Sequence, residues 1–381
     1  MKLKRRFLLW LTYLVFSTCL LPAAIYLYKN PAYNFDMLGY MALVVKMDRP
    51  NTIAKAHNLT YSSARQHIPA EEYKKLTETP SYRKKFETDP SEFSKILPNY
   101  IVKPLYIWLC WLFYKSGTSL PMATVMPSII SYLALGIFLF HWLRKYLQTI
   151  FAFAGAALIM YSIFITAIAR LSTPDFLSTL FLFVSIYFIL EKRNLTLMCL
   201  LLLLAVFARV DNIITCFFIL SFLAFSKKWK MISMQQYFFM VAVLAIAYIT
   251  IVLPVRQFGW SIFFYSNYAR HIDYSRDFNE QVSTLSYLSL LYSKLVTAFV
   301  STHFTFFLFL GLLILVTKKF SLRTLSFDQS FLLLLAATAL FKFLLLPDLS
   351  DRFYLGYYLI IIMLLVRKLF PNLSIVGNED R

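Results

Sequence analysis

Long apolar runs, separated by short breaks rich in lysine and arginine, set the pattern of this chain. The first run, 7–28, is about 22 residues without a charge, enough at about 1.5 Å per residue to cross the hydrocarbon core of a bilayer. Comparable runs follow at 122–143, 150–168, 176–190, 195–208, 213–225, 237–253, 295–316, 331–346 and 353–366. The expectation is an all-α polytopic membrane protein with about ten transmembrane helices. The aromatic run 101–114 opens with Lys103 and Pro104 and is short for a span, so it reads as a helix lying in the membrane interface.

That assignment fixes orientation. Lys2, Lys4, Arg5 and Arg6 precede the first run, and basic residues of a short flank stay in the cytoplasm. With 101–114 in the interface, Arg144-Lys145, Lys192-Arg193, Lys227-Lys228, Lys318-Lys319 and Arg367-Lys368 all fall on the cytoplasmic side, together with both termini. If 101–114 spanned instead, every one of these clusters would lie outside. The localisation this implies is an integral protein of a plasma membrane, the inner membrane if the source is bacterial.

The whole chain, 1–381, reads as a single membrane domain with two outer loops. The first, 29–121, is long, polar and charged, with interfacial helices; within it 70–85 has the Glu, Lys and Tyr spacing of a surface helix. The second is 254–286. No internal repeat is visible. The first run is longer than the apolar core of a signal peptide and reads as an anchor, although Pro22-Ala23-Ala24 offers small residues.

Composition narrows the class further. At 59% hydrophobic and 15% charged, the chain is not a soluble globule. The net charge of +19 sits at helix ends and in the first loop, which favours anionic lipid headgroups and phosphate-bearing lipids over nucleic acid. Cys19, Cys110, Cys199 and Cys216 lie in or beside apolar runs without paired spacing, which suggests small hydrophobes and no disulfide or metal framework.

The candidate chemistry lies at the outer ends of the runs. Asp36 follows the first span within Asn34-Phe35-Asp36-Met37-Leu38-Gly39-Tyr40, close to a lipid–water boundary. It suits a general base, and a capping or solvated acid equally. Thr173-Pro174-Asp175 has the order of a Thr cap, a proline at the first helical position and an acid at the positive helix end, a sufficient structural account of Asp175. Asp211, with Asn212, and Asp351 open later inward runs in the same way. Beside them stand Arg170, Arg209, Arg256 and Arg352. A lone interfacial arginine snorkels; several on one face could cradle a phosphate, which a guanidinium grips with two bonds. Lys342 lies inside an apolar run, where snorkelling and function both account for it. His271 and Asp273 in the second loop could donate a proton or hold a metal, or form a solvated pair.

Taken in order, these elements resemble the GT-C superfamily, the integral-membrane glycosyltransferases that use polyprenyl-phosphate sugars, such as the protein O-mannosyltransferases and the bacterial aminoarabinose transferase. The resemblance is carried by the Asn34–Tyr40 string, Lys103-Pro104-Leu105-Tyr106, the Arg-x-x-x-Pro-Asp element of Arg170 to Asp175, Arg209-Val210-Asp211-Asn212 and Asp351-Arg352-Phe353-Tyr354. It covers most of the chain in layout, through short motifs. It implies that Asp36 is the catalytic base and that outer-face arginine or lysine side chains bind the lipid phosphate; the substrate-binding candidates are Lys103, Tyr106, Arg170, Asp175, Arg209, Asp211, Arg256, His271, Asp351 and Arg352. The implied partners are a polyprenyl-phosphate-linked sugar donor and a lipid or glycan acceptor, with no nucleic acid. Two departures stand out. No large soluble C-terminal domain follows the membrane part, and Met37 stands where a second acid adjoins the first, which leaves divalent metal use open. A polysaccharide polymerase or ligase and a lipid-linked sugar flippase or transporter are the competing functions. Repeated halves with Gly- or Pro-broken spans would mark the transporter, and with 8 glycines in the chain that signal is weak.

Overall fold

The structure is a computed structural model that describes residues 2–49, 52–255, 283–316 and 325–371. Among these, every regular element is a helix, and the only β-type pairing is an isolated parallel bridge between Ala32 and Leu171. Four helices among the described residues are long and apolar enough to cross a membrane: Phe7–Lys29, Leu120–Leu143, Met234–Val255 and Phe327–Leu345. The number rises to seven if each of three bent helix pairs is one span. The other runs of the sequence pattern are also helical. Leu195–Ala208 and Asn212–Phe225 have 14 residues each, about 21 Å, and Asp351–Leu369 carries charge at both ends.

Contacts divide the chain into two compact units. The first comprises Met1–Thr88, Tyr106–Leu180 and Leu369–Arg381; the second comprises Asp89–Leu105 and Phe181–Lys368.

In the first unit the span Phe7–Lys29 lies against Leu120–Leu143. Gly136 makes the close approach possible, because a Cβ there would stand 2.7 Å from Leu20 Cδ1 and 3.3 Å from Met160 Cγ. Around this point Phe16 stacks on Phe140 at 4.5 Å, and Tyr13 OH meets His141 Nδ1 at 2.6 Å. The run 150–168 is not one straight helix: Thr149–Met160 and Ile163–Ala169 meet at 58°. Ser162 caps the second by accepting from Ile165 N. Within the first loop, Asp36–Asp48 buries every residue from Met37 to Val45. Thr52 caps Ile53–His67, and buried His57 donates from Nε2 to the Phe86 carbonyl at 2.9 Å. The surface helix expected over 70–85 is two helices, Ala70–Glu78 and Arg83–Thr88. Pro80 divides them: it lacks an N–H, and it holds Thr79 in extended backbone at φ −122°, ψ 113°.

In the second unit, Ser233 with Gln236 and Ser326 with Gln329 form capping boxes at the starts of Met234–Val252 and Phe327–Leu345. A π-helical turn, Phe188–Lys192, presents Glu191 to Arg367, which also reaches Asp328; both separations are 3.4 Å. The run 295–316 is broken. Thr284–Ser301 and Phe304–Val316 meet at 83°, with Thr302 extended between them. The apolar pattern runs through this break unmarked, which is why it reads as one span. All four cysteines are free.

Candidate functional site

Polar side chains at helix ends form one cluster in each unit. In the first, two loops run side by side and each delivers an acid to the start of a helix. The Arg170 carbonyl accepts from Ala32 N at 3.0 Å, and Arg170 Nε donates to the Asn30 carbonyl. Ser172 N donates to Asn34 Oδ1 at 3.3 Å, while the Asn34 carbonyl receives Met37 N at 3.0 Å and so closes the first turn of Asp36–Asp48. Asp36 begins that helix half-buried; Asp175 begins Asp175–Tyr187 at 2% exposure. Both therefore meet the positive end of a helix dipole.

Leu120–Leu143 supports the loop that leads into Asp175. Ser128 Oγ donates toward the Leu171 and Thr173 carbonyls at 3.0 and 2.9 Å, and Thr124 Oγ1 pairs with Ser172 Oγ at 2.9 Å. Tyr106 is fully buried there: its hydroxyl donates to the Thr124 carbonyl, and its ring stands edge-on to Tyr40 at 4.7 Å. The Thr cap expected before Asp175 does not form. Thr173 is buried, its Oγ1 has no hydrogen-bond partner among the described residues, and Ser128 holds the segment by its carbonyl instead. The guanidinium of Arg170 lies 5.7 Å from the Tyr26 ring, so this arginine ties the loop to the first span. Arg83, which the sequence did not single out, stacks at 4.5 Å over Phe35, the residue before Asp36.

In the second unit, Arg209 grips Asp211 with Nε on Oδ1 at 3.0 Å and Nη2 on Oδ2 at 2.9 Å. Lys342 Nζ approaches the same Oδ2 at 2.5 Å, from inside the helix Phe327–Leu345, with 3% of the residue exposed. Burial alone would push the Asp211 carboxyl up; the Arg209 and Lys342 charges outweigh it and hold it well below the usual carboxylate range. The Phe353 ring takes Arg209 at 4.5 Å and Arg352 at 4.8 Å, and Tyr354 lies 5.6 Å from Lys342. Asp351 accepts from His303 Nδ1 at 2.8 Å and from His303 N at 3.0 Å. Lys103 Nζ donates to the Asn99 carbonyl at 2.8 Å and stands 5.4 Å from the Tyr100 ring. His303 gave no signal in the sequence beyond its type. Lys342 did, as a charge within an apolar run.

Arg256, His271 and Asp273, and with them most of the loop 254–286, lie outside the described residues. Among the described residues no group of three or more His, Cys, Asp or Glu side chains is placed to hold a metal ion. No protein-family model, curated protein or solved structure matches the chain.

Proposed function

We propose that this protein is a membrane glycosyltransferase that moves a sugar from a polyprenyl-phosphate carrier to an acceptor hydroxyl at the extracytoplasmic face, with Asp36 as general base. In this step the acceptor oxygen attacks the anomeric carbon and gives its proton to Asp36. The bond from that carbon to the phosphate oxygen breaks, and its electron pair leaves with the lipid phosphate. One carboxylate is enough, because phosphate departs without acid help. The reading calls for a cationic contact with the departing lipid phosphate, and guanidinium chemistry suits phosphate oxygens.

One observation supports it above the others. Asp36 is a half-buried carboxylate at the head of a buried helix, and main-chain and side-chain bonds from the Arg170–Thr173 loop hold that head in place. A base must be held in this way before it can work in a fixed geometry. Apolar helices of spanning length supply the setting in which a lipid-linked donor is met.

The test uses purified protein in lipid nanodiscs with labelled polyprenyl-phosphate sugars. Lipid phosphate should be released with transfer of the label, and Asp36→Asn should lower turnover by about 10²–10⁴-fold while insertion and melting stay unchanged. Near-normal turnover by that variant defeats the assignment of the base. Movement of intact donor across the bilayer without cleavage makes the protein a transporter.

A further inference from the structure

The trio Arg209, Asp211 and Lys342 invites a second question. Buried ion networks add little stability over apolar packing of the same volume, and a lysine within a spanning helix marks a place of function more often than of architecture. Here Lys342 is 3% exposed and Arg209 9%. Both arms of the Arg209 fork and the Lys342 ammonium meet on one carboxylate, at 3.0, 2.9 and 2.5 Å. Two parallel N–H bonds from a guanidinium, joined by an ammonium, are the contacts that two oxygens of a phosphate take. Successive aromatic residues of one helix, Phe353 and Tyr354, lie beside the two cations at 4.5 and 5.6 Å. The cations thus come from separate helix ends and are held toward a common point.

We propose that Arg209 and Lys342 form a phosphate-oxygen binding site in which the carboxylate of Asp211 is a built-in stand-in for the ligand, displaced when a phosphate monoester arrives. This rests on the reading that the ligand carries a phosphate, and it names Arg209 and Lys342 as its contacts within the second unit and Asp211 as an internal competitor. Such a competitor offsets one of the two positive charges while no ligand is bound and sets the affinity by the strength of its own bonds. A ligand must present two oxygens to the forked bonds of Arg209 and the Lys342 ammonium to replace the carboxylate, so a phosphate succeeds where chloride fails. Phosphate on a lipid and free phosphate share this chemistry.

The experiment measures melting of the purified protein in detergent, as wild type and Asp211→Asn. The additives are inorganic phosphate, a short-chain prenyl monophosphate, or chloride at matched ionic strength. Asp211→Asn should melt lower than wild type, regain the loss with a phosphate-bearing additive and not with chloride, and bind that additive at least tenfold tighter than wild type. Response to the prenyl phosphate alone names a lipid headgroup as the source; response to both additives admits free phosphate as well. An Asp211→Asn protein that responds to phosphate no more than to chloride, or no more tightly than wild type, overturns the proposal. Should that variant not fold, Lys342→Gln, which keeps the Arg209–Asp211 pair, is compared with wild type for prenyl phosphate binding. A tenfold loss supports the site, and equal affinity, including no binding by either, overturns it. Neither readout needs turnover, so this site and the transferase reading can fail separately.

Discussion

Asn34 shows how much one small side chain organises. Its carbonyl closes the first turn of the helix that Asp36 begins, and its amide oxygen takes the Ser172 N–H from the neighbouring loop. Asn34→Ala removes the second bond and leaves the first. The expected cost is about 1 kcal/mol of stability. If Asp36 is the base, turnover should fall several-fold at an unchanged donor KM, read from steady-state kinetics of the transfer assay. Asp211 makes a prediction about pH. Its native carboxyl titrates below the ordinary value of about 3.9, so its contribution to stability is fully present above that value and is lost as pH falls through the lower native one. Melting curves should therefore show no loss from the Arg209–Asp211–Lys342 tie between pH 7 and 5, and a growing loss below about 4 that Asp211→Asn does not share. Neither partnership was legible along the chain. The sequence marks Asp211 and Lys342 as unusual residues, but the pairing belongs to the fold.

At the scale of the element, the apolar runs fall largely on helices, while the pattern missed where some of them break and did not mark Asp36–Asp48, Ile53–His67 or Pro90–Ile96 within the first loop. The run 195–208 coincides with Leu195–Ala208, because Asn194 caps its start and Arg209 follows its end. The breaks at Pro80 and at Thr302 were read through. In the first case charged residues on both sides suited one surface helix; in the second, hydrophobicity carried straight across the 83° bend. Close packing was equally hidden, since a glycine in an apolar run has no side chain to announce a neighbour. Gly136→Leu drives its side chain into Leu20 and Met160 and should cost about 1–3 kcal/mol, measured by denaturation in mild detergent. Arg367 ties the π-helical turn at Glu191 to Asp328, the second residue of a long apolar helix. Arg367→Ala leaves two largely buried carboxylates facing one another. Breaking such a pair costs about 3–5 kcal/mol when fully buried, and less here because the arginine is partly exposed. Glu191→Gln in the same background should recover part of it, as a double-mutant cycle would show.

For the whole molecule, the charge pattern predicts an orientation that labelling can check. In a background without native cysteines, Lys74→Cys in the first loop should react with a membrane-impermeant thiol reagent on intact cells, and Lys228→Cys only after permeabilisation. The opposite pattern inverts the topology and moves Asp36 to the cytoplasmic side, where no extracytoplasmic transfer takes place. The bridge between Ala32 and Leu171 has a consequence of its own. Main-chain atoms make this join, so the letters at those two positions can drift under selection while the alignment of the two strands of loop survives. Proteins descended from a common ancestor through such a seam would keep its spacing and lose its spelling, and kinship among them is better sought in backbone superposition than in strings of residues.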